Sequence, residues 1–583
     1  MEDASGLTTY TYKPVSVGTF GAGRLAAIDG PLDNDTISYS YDELGRAISR
    51  SIGSVEATWT FDALARLTSE TSVLGTFLYG YDGLTERIAS VTYPNDQASY
   101  FSYFGGTEDR RLQTIHHIYP NGTTLSRYDY TYDARGNILT WSQQADSAAA
   151  VQWSYGYDAA DQMVAAIKRT TDPSAAVLKR YAYRYDVTGN RTAEQIDNSV
   201  LSATFNRVNG LLSRQPVGPV MFRGTTNEPS TVTIGSVKAT VNSANEFQAA
   251  VPITAGVNTI GMSARDASGN TTYQNYQLSN VGTSTTFVND ANGNLLSDGT
   301  RTFEWDARNQ LAAVTVGSHR SEFTYNGLHQ RVRIVEKESG LVQSDTRLVW
   351  CQAVICEERA SAGGAVLRRV FALGEQTGGA SHFFSVDHLS SVNEVTAANG
   401  SLLARYAFDP WGRRTVVAGV DVTNVGFTGY YFHGPSGTEL SQYRAYDGDL
   451  GRWLSEDPSG LVAGVNRSIY ANNEPVVFRD ALGLDSRPPR IIPFPPPSPN
   501  PPPTPPGPRG RIIPFEPPPP NTMSPKTIVN TTAKIIVPLV VTAIVIWTWS
   551  CVTVETYCAT QTNQGFSSCM SSAFPNGGCP GCK

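Results

Sequence analysis

A short phrase returns nine times along this chain: an aromatic residue, then Asp, a few polar residues, and Gly, Asn or Arg. A period of that kind restricts the fold more than any composition figure, because each unit must bury its face against the next. The copies begin at Tyr41-Asp42, Phe61-Asp62, Tyr81-Asp82, Tyr132-Asp133, Tyr157-Asp158, Tyr185-Asp186, Asn289-Asp290, Trp305-Asp306 and Phe408-Asp409, with Asn in the aromatic place once. Asp42, Asp62 and Asp82 are 20 residues apart, enough for two short strands and two turns.

The chemistry of one unit is readable. An alternating strand such as Thr36 to Tyr41 ends at an Asp whose carboxylate can accept backbone N–H groups two residues on, and Gly then supplies a positive φ. An apolar residue such as Leu67 or Leu295 opens the returning strand. The unit is a hairpin corner, and many in series build an all-β shell with protected edges. Tyr (28), Phe (22) and Gly (52) are abundant while charged residues make up 17%, which suits many short strands.

The series resembles the YD repeats of Rhs proteins and insecticidal-toxin C subunits, in which the repeats wind into a hollow shell of β-hairpins. On that resemblance, residues 1–216 and 281–379 are YD repeats. Residues 217–280 interrupt them with short alternating segments, among them Thr231 to Ile234 and Phe247 to Val251, and with turns at Thr254 to Asn258 and Arg265 to Asn270. This insert resembles a bacterial Ig-like β-sandwich, a spacer or a module contacting glycans.

From residue 380 the resemblance sharpens. Asp387-His388-Leu389-Ser390-Ser391-Val392, Phe408 to Arg413, Phe427-Thr428-Gly429, Arg444 to Asp447, Gly451 to Leu461 and Asn472 to Leu484 follow in the order of the Rhs repeat-associated core, with Ser390 where the family has Gly. That core, residues 380–484, is the segment in which the family cuts itself as an intramolecular aspartyl protease. The matching acids are Asp457 in Asp-Pro-Ser-Gly and Asp480 in Asp-Ala-Leu-Gly-Leu, and the scissile bond is Leu484–Asp485. Ala481 stands where the family has Pro. Read without the resemblance, the same two Asp are turn formers. His388, His433, Cys351 and Cys356 lack partners at ligand spacing, so no metal site and no cofactor is expected, and both histidines are read as structural.

Behind Leu484 the chemistry changes. Residues 485–525 are dominated by Pro and repeat Arg490 to Phe494 as Arg511 to Phe515, which reads as an extended linker. In the variable tail, 526–583, residues 535–554 carry no charge and are long enough to cross a bilayer as a single transmembrane or membrane-active segment, with a buried strand pair as the alternative. Lys526 and Lys534 precede the segment, so the charge bias sends the Cys-rich end across. Cys558, Cys569, Cys579 and Cys582 are then placed for disulfides, or for zinc. No His follows His433, which leaves the tail without the parts of a His-dependent nuclease or zinc deaminase.

A net charge of −7 supplies no basic face for phosphates, so nucleic acid is not expected as a partner. The first residues lack a basic and an apolar region, so no secretory signal is read there, and the chain starts inside a repeat as if delivery modules lay upstream. The expected protein is a secreted or cell-surface polymorphic toxin or surface-protein fragment, associated with membrane through residues 535–554. Its shell encloses or displays the tail, and the partners are that tail, an immunity protein, a membrane and glycans. The alternative is a non-toxic, membrane-anchored surface or adhesion protein.

Overall fold

Each repeat turns on one carboxylate. In the first unit Asp42 Oδ1 accepts the amides of Leu44 at 3.0 Å and Arg46 at 2.8 Å, Asp42 N donates to Arg46 O at 3.0 Å, and Gly45 N to Asp42 O at 3.0 Å. The same bonds recur around Asp62, Asp158, Asp186, Asp306 and Asp409. Two strands therefore meet at a fixed corner without help from the rest of the molecule.

At most of these corners the strand register slips, as between Gly156 and Tyr157 opposite Met163, or Arg184 and Tyr185 opposite Arg191. This β-bulge breaks the regular ladder at the residue that opens the returning strand. The aromatic of the next unit takes the carbonyl of that residue: Tyr157 Oη donates to Ile138 O at 2.8 Å, Tyr185 Oη to Met163 O at 2.7 Å, and Trp305 Nε1 to Leu295 O at 2.7 Å. Phe61 has no donor, and the Arg46 guanidinium sits 4.5 Å from its ring centre instead.

The computed structural model describes residues 2–3, 6–361, 364–460 and 464–484. They are all-β, with short 3-10 turns and no α-helix among the described residues. One antiparallel ladder runs from Thr9–Tyr12 through Leu211–Gln215 and ends on Thr285–Thr286. A second, 14-stranded sheet runs from Val288–Asn289 to Arg414–Gly419. The two are joined across their inner faces: Tyr93 Oη donates to Phe384 O at 2.9 Å, Asn95 Nδ2 to Ala397 O at 3.1 Å, and Arg405 pairs with Asp146 at 2.7 Å. Phe77, Tyr93 and Phe383 pack together in one of the shared apolar clusters.

Residues 218–280 form two small sheets, one of three strands and one of four, around Val220, Val232, Ile234, Phe247, Val251 and Ile260. A four-stranded sheet from Tyr431–His433 to Arg452–Trp453 then carries the chain into the centre. There Trp411, Phe427, Tyr446, Trp453 and Tyr470 are buried against the wall residues Tyr130, Trp141, Trp153 and Tyr183. Among the described residues no helix is long and apolar enough to cross a membrane. The apolar segment 535–554, the Pro-rich linker and the Cys-rich end lie outside the described residues.

Candidate active site

Two Asp turns near the end of the described chain use a related corner chemistry. Asp457 Oδ1 accepts from Ser459 N at 2.8 Å and Ser459 Oγ at 2.6 Å, and Gly460 N donates to Asp457 O at 3.0 Å. Asp480 Oδ1 accepts from Gly483 N and from Leu484 N, both at 2.8 Å. Gly483 has φ +81°, and a Cβ there would come within 2.5 Å of Ser441 Oγ, so this turn needs glycine. With Ala481 in the family's Pro position the turn still forms, and Gly483 N reaches Asp480 O at 3.2 Å.

In each residue the other carboxylate oxygen points at the same atom. Nη2 of Arg444 lies 2.7 Å from Asp457 Oδ2 and 2.8 Å from Asp480 Oδ2. The two acids, 23 residues apart in the chain, are thus gathered on one guanidinium nitrogen. All three residues are buried, at 4% exposure or less, so this is an ion-pair group out of water rather than a surface pair. Arg444 is held by its Nη1 bond to Arg467 O at 3.0 Å and by the Trp453 ring 4.2 Å beneath it. Burial pulls the Arg444 guanidinium below its usual value, while Asp480 and Asp457 push it back up. The Tyr430 hydroxyl donates to Asp480 O. Tyr443 N donates to Leu482 O at 3.2 Å, which ties the end of the described chain to the core sheet.

The carboxylates, the cation and the Leu484 backbone therefore share one buried corner. Such a group can hold and move a proton. The residue that sequence reading missed is Arg444. It stands in the quoted Arg-Ala-Tyr-Asp run, but nothing in the linear order says that its side chain turns toward two acids 13 and 36 residues on.

The histidines are elsewhere. His388 Nε2 bonds Val476 O at 2.8 Å and Nδ1 lies 3.2 Å from Tyr130 Oη, and burial pushes it down to about 4. His433 bonds Ser436 Oγ at 2.7 Å and Glu336 at 2.9 Å. Cys351 and Cys356 form a disulfide, Cα–Cα 5.8 Å, across the hairpin in which Cys351 pairs with Val354. The sequence reading sought metal ligands around this pair and missed the bond. No group of three or more His, Cys, Asp or Glu placed to hold a metal occurs among the described residues.

Comparison with known proteins gives partial matches. The toxin protein Tse5 of Pseudomonas aeruginosa is 32% identical over 102 residues, 18% of this chain and 8% of that protein. The tRNA3(Ser)-specific nuclease WapA of Bacillus spizizenii is 27% identical over 209 residues, 33% of this chain and 9% of that one. The toxin subunit YenC1 of Yersinia entomophaga is 26% identical over 215 residues, 32% and 22%. The chain is an Rhs/YD-repeat protein.

This Rhs chain is similar to short stretches of toxins, and it spans less than a quarter of the length of each of these three. No family model matches it. The solved Photorhabdus luminescens Tc holotoxin pore overlaps 83% of the Rhs chain, covering 30% of its own, at 15% identity and a TM-score of 0.30.

Proposed function

We propose that this Rhs protein is a toxin-type shell that cuts its own chain once, between Leu484 and Asp485, and so frees a 99-residue tail. The observation that carries the reading is the contact of Asp480 with the Leu484 amide while both acids converge on Arg444. Arg444 balances the charge of one carboxylate. Two carboxyl groups gathered on one guanidinium nitrogen repel each other when both are ionised, which favours a proton shared between them. That leaves one acid to donate and one to accept.

In the reaction, the basic carboxylate takes a proton from water as its oxygen adds to the Leu484 carbonyl carbon. The protonated acid, with Arg444 beside it, favours the developing oxyanion. A proton then passes to the Asp485 nitrogen and the C–N bond breaks, leaving a carboxylate on Leu484 and an amine on Asp485. The bond is held in the same chain four residues from Asp480, so a site working once needs no substrate binding.

The toxin relatives support a secreted or extracellular setting, and the 20 uncharged residues 535–554 support a tail directed at membranes, with an immunity protein protecting the producer. The two-sheet insert at 218–280 is read as an Ig-like spacer. N-terminal sequencing of the small fragment tests the cut, which should begin at Asp485. Expression of residues 485–583 alone should arrest bacterial growth or collapse membrane potential, and harmless expression with stable membrane residence would favour the anchored surface protein instead.

A further inference from the structure

Apart from the acids, one small enclosed space holds a surplus of positive charge. A cavity of about 30 Å³ lies where the last core strand, Arg452–Trp453, meets the repeat wall at strands Arg191–Ile196 and Leu211–Gln215. Arg191, Arg214 and Arg452 line it, with Glu194 as the one carboxylate among the lining residues.

Glu194 is overdrawn. It pairs with Arg214 at 2.8 Å and with Arg413 at 2.8 Å, and Arg191 Nη1 stands off at 3.6 Å, too far for a hydrogen bond. Against burial, which raises it, Arg191, Arg413 and Arg214 hold the Glu194 carboxyl down at about 2. Arg413 has further acids in Asp409 at 2.7 Å and the exposed Asp449 at 2.8 Å. Asp447, near Arg214, pairs at 2.5 Å with Arg301, which also holds Asp298 at 2.7 Å.

Two cations lack a carboxylate at hydrogen-bond distance, although Arg191 Nη2 donates to Asp449 O at 3.2 Å and its guanidinium lies 4.6 Å from the Trp411 ring centre. The Arg191 side chain is 8% exposed, and its Nη1 is buried with no hydrogen-bond partner. It lies against Gly451, where a Cβ would come within 2.6 Å of that nitrogen. Arg452 donates Nη2 to Asn209 O at 2.8 Å and meets no carboxylate among the described residues. Burial, and then Arg191, lower the Arg452 guanidinium to about 10. A buried N–H donor left without an acceptor is costly, more so when it is charged.

We infer that this cavity is a binding site for one small monovalent anion of chloride size, held between Arg191 and Arg452. Both guanidinium groups line the cavity, Arg191 with a buried Nη1 that has no hydrogen-bond partner and Arg452 with no paired carboxylate among the described residues, so an anion between them would be hydrogen-bonded from both sides. The space is small and takes a monatomic anion in contact with both guanidinium groups. The anion fastens the core sheet to the repeat wall.

The test uses the full-length chain at fixed ionic strength in sodium chloride or sodium gluconate, whose anion is too large to enter. Chloride should raise Tm by a few degrees with a saturable dependence, since a ligand bound only by the folded state stabilises by mass action. Crystals soaked in sodium bromide should show an anomalous peak within hydrogen-bond reach of both guanidinium groups. Arg452→Met should remove the chloride-dependent rise, and if it does not fold, the wild-type peak and titration decide. Equal Tm in the two salts, or no peak in the cavity, overturns the inference. A peak without any halide dependence of Tm marks an adventitious ion only and overturns it too.

Discussion

Asp480 Oδ1 accepts the amide hydrogen of Leu484 at 2.8 Å, so the acid holds the residue on whose far side the proposed cut falls. A turn former and a catalytic acid would both make this bond, and one substitution separates them. Asn builds a similar corner elsewhere in this chain, at Asn206 and Asn326, accepting the amides two and four residues on where Asp480 accepts those three and four on. Asp480→Asn should therefore keep the turn, with circular dichroism unchanged, and stop cleavage on intact-mass analysis. A folded Asp480→Asn protein that cuts at the wild-type rate would reduce Asp480 to a turn residue.

Ala481 occupies the place that Pro458 holds in the sister turn after Asp457. Proline presets φ near −65° and removes freedom from the unfolded chain, which at a compatible site stabilises by about 0.4–1 kcal/mol. Ala481→Pro should raise Tm slightly and speed cleavage in a time course of fragment appearance. A slower reaction would mean that the turn is already set by the Gly483 and Leu484 amides and that Pro disturbs it.

The aromatic hydroxyls should matter more than the rings' area alone suggests. Tyr185→Phe keeps the ring and strips the donor from Met163 O, in a bulge where the ladder offers no regular substitute. Leaving that carbonyl unpaired should cost about 1–3 kcal/mol, read as a lower urea midpoint. No shift in the midpoint would show that water replaces the hydroxyl.

Alkaline solution should loosen the core through Glu439. Burial pushes its carboxyl up to about 8 from 4.5, while its amide contact from Phe427 at 3.3 Å opposes the rise. The folded form then binds a proton that the unfolded chain has released, so this contribution to stability is full below pH 4.5 and is lost as pH rises to about 8. Glu439→Gln should remove that loss. In urea titrations at pH 5, 6.5 and 8, the variant should gain on wild type with rising pH, by at most about 1.4 kcal/mol per pH unit. Parallel curves would place Glu439 in water.

The repeat was legible because its cause is local: an Asp, two amides and an aromatic lie within six residues. Legibility failed where a different residue does the same work. Phe205-Asn206 and Tyr325-Asn326 are units of the same kind, passed over because the pattern was keyed on Asp, although the Asn carbonyl accepts the same amides. Likewise the left-handed corner is taken by Ala65, Asn309, His329 and Ser390 as well as by Gly, and Ser390 adopts φ 71° in the place where the family has Gly. The strain at such a position, about 1–2 kcal/mol, is outweighed by the bonds of the turn.

The candidate site was half legible. Asp457 and Asp480 announce themselves as paired Asp-x-x-Gly turns, but Arg444 joins them only after the core sheet has folded back, and that closure leaves no trace in spacing. The Cys351–Cys356 bond depends on a hairpin register in which Cys351 faces Val354, and a search for metal ligands had no reason to weigh it. The surplus arginines at Glu194 come from segments more than 200 residues apart.

Intact mass of the purified wild-type chain tests the central claim most directly. The account predicts a body ending at Leu484 and a 99-residue tail beginning at Asp485, retained together or separated, with only full-length chain from Asp457→Asn. A wild-type chain that keeps its full mass over days, and that stays whole as Ala481→Pro, would contradict it.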